Sequence, residues 1–189
     1  HNFFSGYAEM LKHGLISNTA HWAELLNFNT SDIDYTALKQ LVGRSVQVKE
    51  DIVEQDPFEH GIRKALNLGH TVGHAFESMA LAENRPVLHG YAVAWGIVCE
   101  LYLSHLKVGF PKEKMRQTIQ FIKDNYGVFT FDCKKYEQLY AFMTHDKKNT
   151  SGTINFTLLK DIGDIRINQI ADKDTIFEML DFYRECMGI

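Results

Sequence analysis

Apolar residues recur at intervals of three and four along most of the chain. From Ser5 to about Leu26, the residues Tyr7, Met10, Leu11, Leu15 and Trp22 form such a stripe, which is the period of a helix with one buried face. One helix, or two with a break near Gly14, is expected. Ser31-Asp32-Ile33-Asp34 supplies capping oxygens ahead of Leu38, Leu41, Val42 and Val46. A further helix is therefore expected to run toward Val53 and to stop before Pro57. Residues 61–83 and 88–107 read as two more helices, separated by Glu83-Asn84-Arg85-Pro86. Pro111 suits the first turn of a helix that carries Met115, Ile119, Phe121 and Ile122 and is ended by Gly127.

The period changes once. Between Thr153 and Leu159 the apolar residues Ile154, Phe156 and Leu158 alternate with polar ones, and Ile165 and Ile167 alternate again after the turn residues Asp161 to Asp164. A last helix, from about Lys173 to Cys186, places Ile176, Met179, Leu180 and Tyr183 on one side. The expected fold class is mainly α: one multihelical domain over residues 1–189 with a small antiparallel β-hairpin near residues 153–168. No internal repeat is visible.

Composition narrows the function classes. The 189 residues are 45% hydrophobic and 23% charged with three prolines, as in a folded globular domain. A net charge of -4 gives no broad positive field, which argues against nucleic acid as a partner. Any bound anion must be met by local groups. Cys99, Cys133 and Cys186 include no CxxC pair, so neither a disulfide framework nor a thiolate zinc site is suggested, and a reducing cytoplasm suits them. No apolar run reaches the roughly 20 residues needed to span a bilayer. No basic segment leads into an apolar signal core. A cytoplasmic location without membrane association is expected. The chain opens at His1 and enters a helical pattern almost at once, which points to a start partway through a longer protein.

The densest chemical signal is Asn67-Leu68-Gly69-His70-Thr71-Val72-Gly73-His74. On a helix, His70 and His74 lie one turn apart on the same face, where two imidazoles can approach one metal ion or one substrate, or simply form a polar face. Thr71 stands where the glutamate of the HExxH protease pattern would be. Gly69 and Gly73 are costly inside a helix, by roughly 1 kcal/mol each, so a close neighbour is expected there. His89 enters an almost wholly apolar helix and is expected at its entrance, away from a solvent face. Glu9 lies on the first helix with Lys12 and His13 beyond it. Convergence of that acid with two histidines would give three zinc ligands and an open fourth position, which spacing alone does not establish. Lys49, Arg63, Lys147 and Lys148 can line an anionic pocket or remain solvated surface charges, and Asp146-Lys147-Lys148-Asn149 is also a good turn sequence.

Taken together, Ser5 to Gly14, Arg63 to Glu77 with its LNLGHTVGHAFE core, Leu88-His89-Gly90 before Ala92-Val93, and Asp146-Lys147-Lys148 before a hairpin with Ile162-Gly163 resemble the 3-dehydroquinate synthases. The resemblance runs in order from about residue 5 to 163. It implies that Glu9, His70 and His89 hold zinc, with cobalt as the alternative ion, and that His74 contacts substrate, which replaces the pairing of His70 with His74. It assigns Lys12, Lys49, Arg63, Asn67 and one of Lys147 and Lys148 to the carboxylate, hydroxyls and phosphate of a sugar phosphate. Asp56 and Glu59 are implied to orient Arg63. The sequence departs from the family at Tyr91, where a glutamate is common, and a contact behind the metal ligands is expected to differ.

Family members are about twice this length, and no GxGxxG or comparable glycine cluster occurs here. The resemblance therefore implies that NAD is bound mainly by a nucleotide-binding half absent from this chain, that the full-length protein is a homodimer, and that the chain alone has no turnover. Its implied reaction converts 3-deoxy-arabino-heptulosonate 7-phosphate to 3-dehydroquinate and phosphate. The alternatives are another sugar-phosphate cyclase, a more distant metal-dependent dehydrogenase, and a non-catalytic helical interaction module.

Overall fold

The structure, a computed structural model, describes residues 2–145 and 153–189. In chain order the helices are α1 (Asn2–Ser17), α2 (Thr19–Asn27), α3 (Tyr35–Gln55), α4 (His70–Ala82), α5 (His89–Val108), α6 (Lys112–Tyr126), α7 (Tyr136–Thr144) and α8 (Lys173–Met187). Strands β1 (Asn155–Asp161) and β2 (Asp164–Ile170) form an antiparallel pair between α7 and α8. Among the described residues no helix is long and apolar enough to cross a membrane.

The centre of the molecule is α5. Its positions from Ala92 to Leu101 are all buried, because the segment, Glu100 apart, is apolar on every side and has no face to give to water. Helices α1, α4, α6 and α8 and strand β1 pack around it. The surrounding helices are amphipathic instead: α6 buries Met115, Ile119, Ile122 and Tyr126, and α8 buries Ile176, Met179, Leu180 and Tyr183. Capping oxygens set the starts of three helices. Asn18 accepts from the His21 amide, Asp34 from those of Thr36 and Ala37, and Asp172 from that of Thr175.

Local geometry corrects several expectations. The first break falls at Asn18, four residues after Gly14, because Asn18 caps the next helix. Residues 61–83 are not one helix. A 3-10 turn spans Ile62–Asn67, and the chain passes through Gly69 at φ 81° before α4 begins at His70. Gly69 is thus not a helix-interior residue but the left-handed position that only glycine adopts without strain. Pro111 sits just before α6, not inside its first turn. Helix α7, which buries Tyr136, Leu139 and Met143, was not anticipated.

The hairpin also departs from simple alternation. A register shift between Phe156 and Leu158 leaves Phe156, Thr157, Leu158 and Leu159 all buried, as a bulge does when it turns two neighbouring side chains inward. The ribbon is hydrogen-bonded to the elements that carry Glu9, Asn67, His70 and His89. The Gly163 amide donates to the Leu15 carbonyl of α1 at 2.9 Å, and the Thr157 hydroxyl to the Lys64 carbonyl of the 3-10 turn at 2.6 Å. Thr71 of α4 donates to the Asn155 carbonyl at 3.1 Å, and the Leu159 amide to the Ser104 hydroxyl of α5 at 3.0 Å.

Candidate metal centre

Three elements bring one acid and three imidazoles together. Glu9 projects from α1, His70 and His74 from the first two turns of α4, and His89 is the first residue of α5. Close approach of the two histidine-bearing helices depends on glycine: a Cβ on Gly96 would lie 2.0 Å from the Gly69 carbonyl oxygen and 2.8 Å from the Gly73 amide nitrogen. At the entrance of α5, where an amide has no helical carbonyl to donate to, that of Gly90 donates to the Ser5 hydroxyl at 3.0 Å.

The Glu9 Oε1 atom lies 3.8 Å from His70 Nε2 and 3.6 Å from His89 Nε2. Ligand atoms of Glu9, His70 and His89 all lie within 4.8 Å of one another. Donors each about 2.0–2.1 Å from a tetrahedral zinc ion stand about 3.4 Å apart, so the observed spacings need only a small contraction to share one. The donor set, two nitrogens and one carboxylate, also suits zinc.

Hydrogen bonds select the nitrogen that each ring presents. Nδ1 of His70 contacts the Leu68 carbonyl at 3.1 Å, and Nδ1 of His89 contacts Glu77 Oε1 at 2.9 Å. Both partners can only accept, so both rings carry the proton on Nδ1 and offer Nε2 to Glu9.

Electrostatics act differently on each donor. Burial pushes the Glu9 carboxyl up, but the charge and hydrogen bond of Lys12, followed by the charges of His70 and His89, bring it below its ordinary value. Burial, helped by the charge of Lys12, lowers His70 to about 4, so its imidazole is neutral near pH 7. The hydrogen bond that His89 donates to Glu77 is the leading influence on this imidazole and raises it. Glu77 itself ends below the ordinary carboxylate value, because the His89 contact outweighs the upward push of burial.

The anticipated position of His89 is corrected: its side chain is 47% exposed, at the mouth of the cluster. His74 lies beside both imidazoles. Its ring centroid is 5.3 Å from that of His70 and 6.0 Å from that of His89. With Glu77 and His89 it forms a second set whose donor atoms lie within 4.8 Å. His74 and Glu77 also line a surface cleft with Ser78, Leu81, Pro86 and Val87.

The basic residues divide. Lys12 is buried, and its Nζ donates to Glu9 Oε2 at 2.6 Å. Lys49 is exposed on α3, close enough to His13 to lower the basicity of that imidazole. Arg63 is half-buried and donates from Nη1 to the Pro57 carbonyl at 2.6 Å. Asp56 accepts from the amides of His60, Gly61 and Arg63, so it fixes the arginine through the backbone, while Glu59 turns the loop at φ 58°. Asn67 closes the 3-10 turn. Lys147 and Lys148 lie outside the described residues. Tyr91 packs edge-on against Tyr126 at 5.0 Å and against Trp95 at 6.0 Å, an aromatic contact in place of an acidic one.

Two residues escaped the sequence reading. Glu77 stands three and seven positions after His74 and His70, a spacing that could have flagged it. Glu100 is fully buried on α5, and its carboxylate accepts from the Gly69 amide at 2.8 Å and the Val72 amide at 3.0 Å. It caps the start of α4, the helix that carries His70 and His74. An acid alone in an apolar run was the available signal, since a buried charge needs partners.

Residues 6–149 match the family model described as 3-dehydroquinate synthase C-terminal. The chain belongs to the 3-dehydroquinate synthase family. A curated 3-dehydroquinate synthase from Parabacteroides distasonis is 59% identical over 188 residues, covering 100% of this chain and 53% of that protein. Another, from Leptospira interrogans, is 41% identical over 170 residues, covering 86% of this chain and 46% of its own length. This chain thus spans about half the length of the 3-dehydroquinate synthases it matches.

Solved structures share the fold at lower identity. A 2-epi-5-epi-valiolone synthase from Streptomyces hygroscopicus, with NAD+ and Zn2+ bound, matches with a TM-score of 0.80 at 20% identity, over 96% of this chain and 51% of that one. A 2-deoxy-scyllo-inosose synthase complexed with carbaglucose-6-phosphate, NAD+ and Co2+ matches with a TM-score of 0.75 at 20% identity, over 96% of this chain and 51% of that one. This chain thus shares its fold with both of these synthases.

Proposed function

We propose that this chain is the metal- and substrate-binding half of a 3-dehydroquinate synthase, which converts 3-deoxy-arabino-heptulosonate 7-phosphate to 3-dehydroquinate and phosphate. The observation that carries the reading is the convergence of Glu9, His70 and His89 from three separate helices, with both imidazoles offering Nε2 toward the same carboxylate oxygen. These three would hold a zinc ion, with cobalt as a substitute. Bound there, the ion supplies Lewis-acid polarisation of neighbouring substrate oxygens.

The chain's own residues account for the other demands of this substrate. Its phosphate and carboxylate bring several negative charges into a cleft, and leaving them unpaired there would be prohibitive. Lys12, Lys49 and Arg63, with one lysine of the Lys147-Lys148 pair, are the cations that meet them. Arg63 suits a planar oxyanion through its fork of donors, and the lysines act as mobile point charges. His74, beside His70 and His89, would pass a proton to or from a substrate oxygen. Asn67, three residues before His70, supplies a neutral donor and acceptor for a hydroxyl.

The chain does not fit the nicotinamide cofactor by itself. Its described strands form one antiparallel hairpin, and the sequence holds no glycine-rich loop between a strand and a helix. NAD is proposed to bind mainly on residues outside this chain, and the 189 residues alone are expected to have no turnover. Homodimerisation of the full-length protein is part of the same reading.

The deciding experiment has two parts. Metal analysis of the purified chain should find zinc in stoichiometric amount, lost in His70→Ala. The full-length protein given the heptulosonate phosphate and NAD should release 3-dehydroquinate. A zinc-free chain without zinc affinity would point to a non-catalytic helical module, and a different cyclitol product to a sister cyclase.

A further inference from the structure

The histidine that anchors α5 has little around it to hold its ring. His89 opens the helix, so no preceding turn packs against it, and nearly half of its side chain is exposed. His70, by contrast, is only 13% exposed and is fixed by the Leu68 carbonyl. The contact that fixes His89 comes from α4. Glu77 places Oε1 at 2.9 Å from Nδ1, while Nε2 on the other side of the ring faces Glu9 at 3.6 Å.

We infer that Glu77 is a positioning residue for the metal centre: by accepting the Nδ1 proton it holds His89 in the one tautomer and orientation that present Nε2 to the ion. An ionised carboxylate accepts and does not donate, so the proton of this contact belongs to Nδ1. The negative charge behind the ring also makes Nε2 a stronger donor to a cation, the arrangement by which outer carboxylates tune histidine ligands. The inference rests on the proposal that Glu9, His70 and His89 bind the metal.

The same atoms have a rival use. His74, Glu77 and His89 are close enough to form a metal group of their own. The two uses exclude each other, because a nitrogen that donates its proton to Glu77 has no lone pair for an ion. Geometry favours positioning, since Nδ1 to Oε1 is a hydrogen-bond distance and the Nε2 of the same ring turns toward Glu9 and His70.

The test uses the whole chain in four forms: unaltered, Glu77→Ala, Glu77→Gln and Glu9→Gln. Zinc affinity is measured by competition with a chelator, and the His89 tautomer of the zinc-free protein by long-range nitrogen-15 NMR at pH 8. Glu77→Ala should weaken zinc binding by about 10–100-fold. It should also convert His89 from the Nδ1-protonated form to a mixture of tautomers. Glu77→Gln, whose amide oxygen still accepts from Nδ1, should restore the tautomer and part of the affinity.

Unchanged affinity together with an unchanged tautomer in Glu77→Ala overturns the inference. So does zinc retained by Glu9→Gln but lost equally from both Glu77 variants, which would make Glu77 a ligand. Absence of zinc binding in the unaltered chain would instead defeat the metal proposal, and the tautomer measurement would still show whether Glu77 sets the ring.

Discussion

Lys12 donates to Oε2 of Glu9 at 2.6 Å while Oε1 of the same carboxylate faces the Nε2 atoms of His70 and His89. One oxygen is thus committed to a buried ammonium and the other is left for a cation. Lys12 is also the main influence holding Glu9 below its ordinary value against the upward push of burial. Lys12→Met, which keeps the stem and removes the charge, should therefore let protons compete for Glu9 at higher pH. The expected outcome is a steeper loss of zinc affinity between pH 7.5 and pH 5.5 than in the unaltered chain, read by chelator competition across about two pH units. Parallel curves for the two proteins would show that Lys12 does not govern this carboxylate.

Two buried imidazoles outside the proposed metal cluster predict acid sensitivity. His13 contacts Ser45 Oγ at 2.7 Å, and burial, assisted by the charges of Lys12 and Lys49, lowers it to about 4. Burial likewise lowers His21, whose ring nitrogens make no hydrogen bond among the described residues. A depressed histidine stays neutral in the fold but takes a proton when unfolded, at about pH 6.5. Its contribution is complete above that value and is lost as pH falls toward about 4, by up to about 3 kcal/mol for His13. Urea unfolding of the zinc-free chain at pH 8 and pH 5 should show this drop. His21→Leu should raise stability by about 1 kcal/mol at pH 8 and flatten the acid slope, because it removes a buried polar ring without a hydrogen bond.

The contact between α4 and α5 sets a second test. Gly96→Ala would drive a methyl group into the Gly69 carbonyl at 2.0 Å, against backbone that has no rotamer with which to yield. A loss of at least about 3 kcal/mol is expected, with weaker zinc binding as α4 is pushed from α5. Gly43 on α3 is exposed, and its Cβ would meet nothing within 4 Å. Gly43→Ala should stabilise by about 0.5–1 kcal/mol, so the pair separates steric conflict from any general effect of replacing glycine.

Some of this could be read from the chain and some could not, for identifiable reasons. Helix α5 was legible because its apolar residues leave no polar face, and α8 because Ile176, Met179, Leu180 and Tyr183 keep a strict helical period. The break before His70 was hidden because Leu66, Leu68 and Val72 fit a helical stripe, while the turn is made by a positive φ at Gly69 that periodicity does not report. Bulging of β1 likewise comes from pairing with β2 and has no local signature. At the site, spacing joined His70 to His74, yet it is His89, nineteen residues on, whose Nε2 meets that of His70 across Glu9. Helix packing makes that convergence, and only the likeness to known synthases brought it within reach of the sequence. Glu100 shows the same limit, since its partners at Gly69 and Val72 lie on another helix.

Glu100 also yields a measurable expectation. Glu100→Ala strands two amides in the core, each costing about 1–3 kcal/mol. Thermal unfolding should shift down by roughly 5–15 °C for a domain of this size. Glu100→Gln keeps one accepting oxygen and should fall between Ala and the unaltered chain. A shift no larger than that of an exposed substitution would mean that other groups cap α4.

The small ribbon binds by hydrogen bonds to α1, the 3-10 turn, α4 and α5, the four segments that hold Glu9, Asn67, His70 and His89. It works as a shared backing plate, so the donors are not independent parts that can drift or melt one at a time. A disturbance of the ribbon is therefore expected to reach all four of these positions together rather than one at a time.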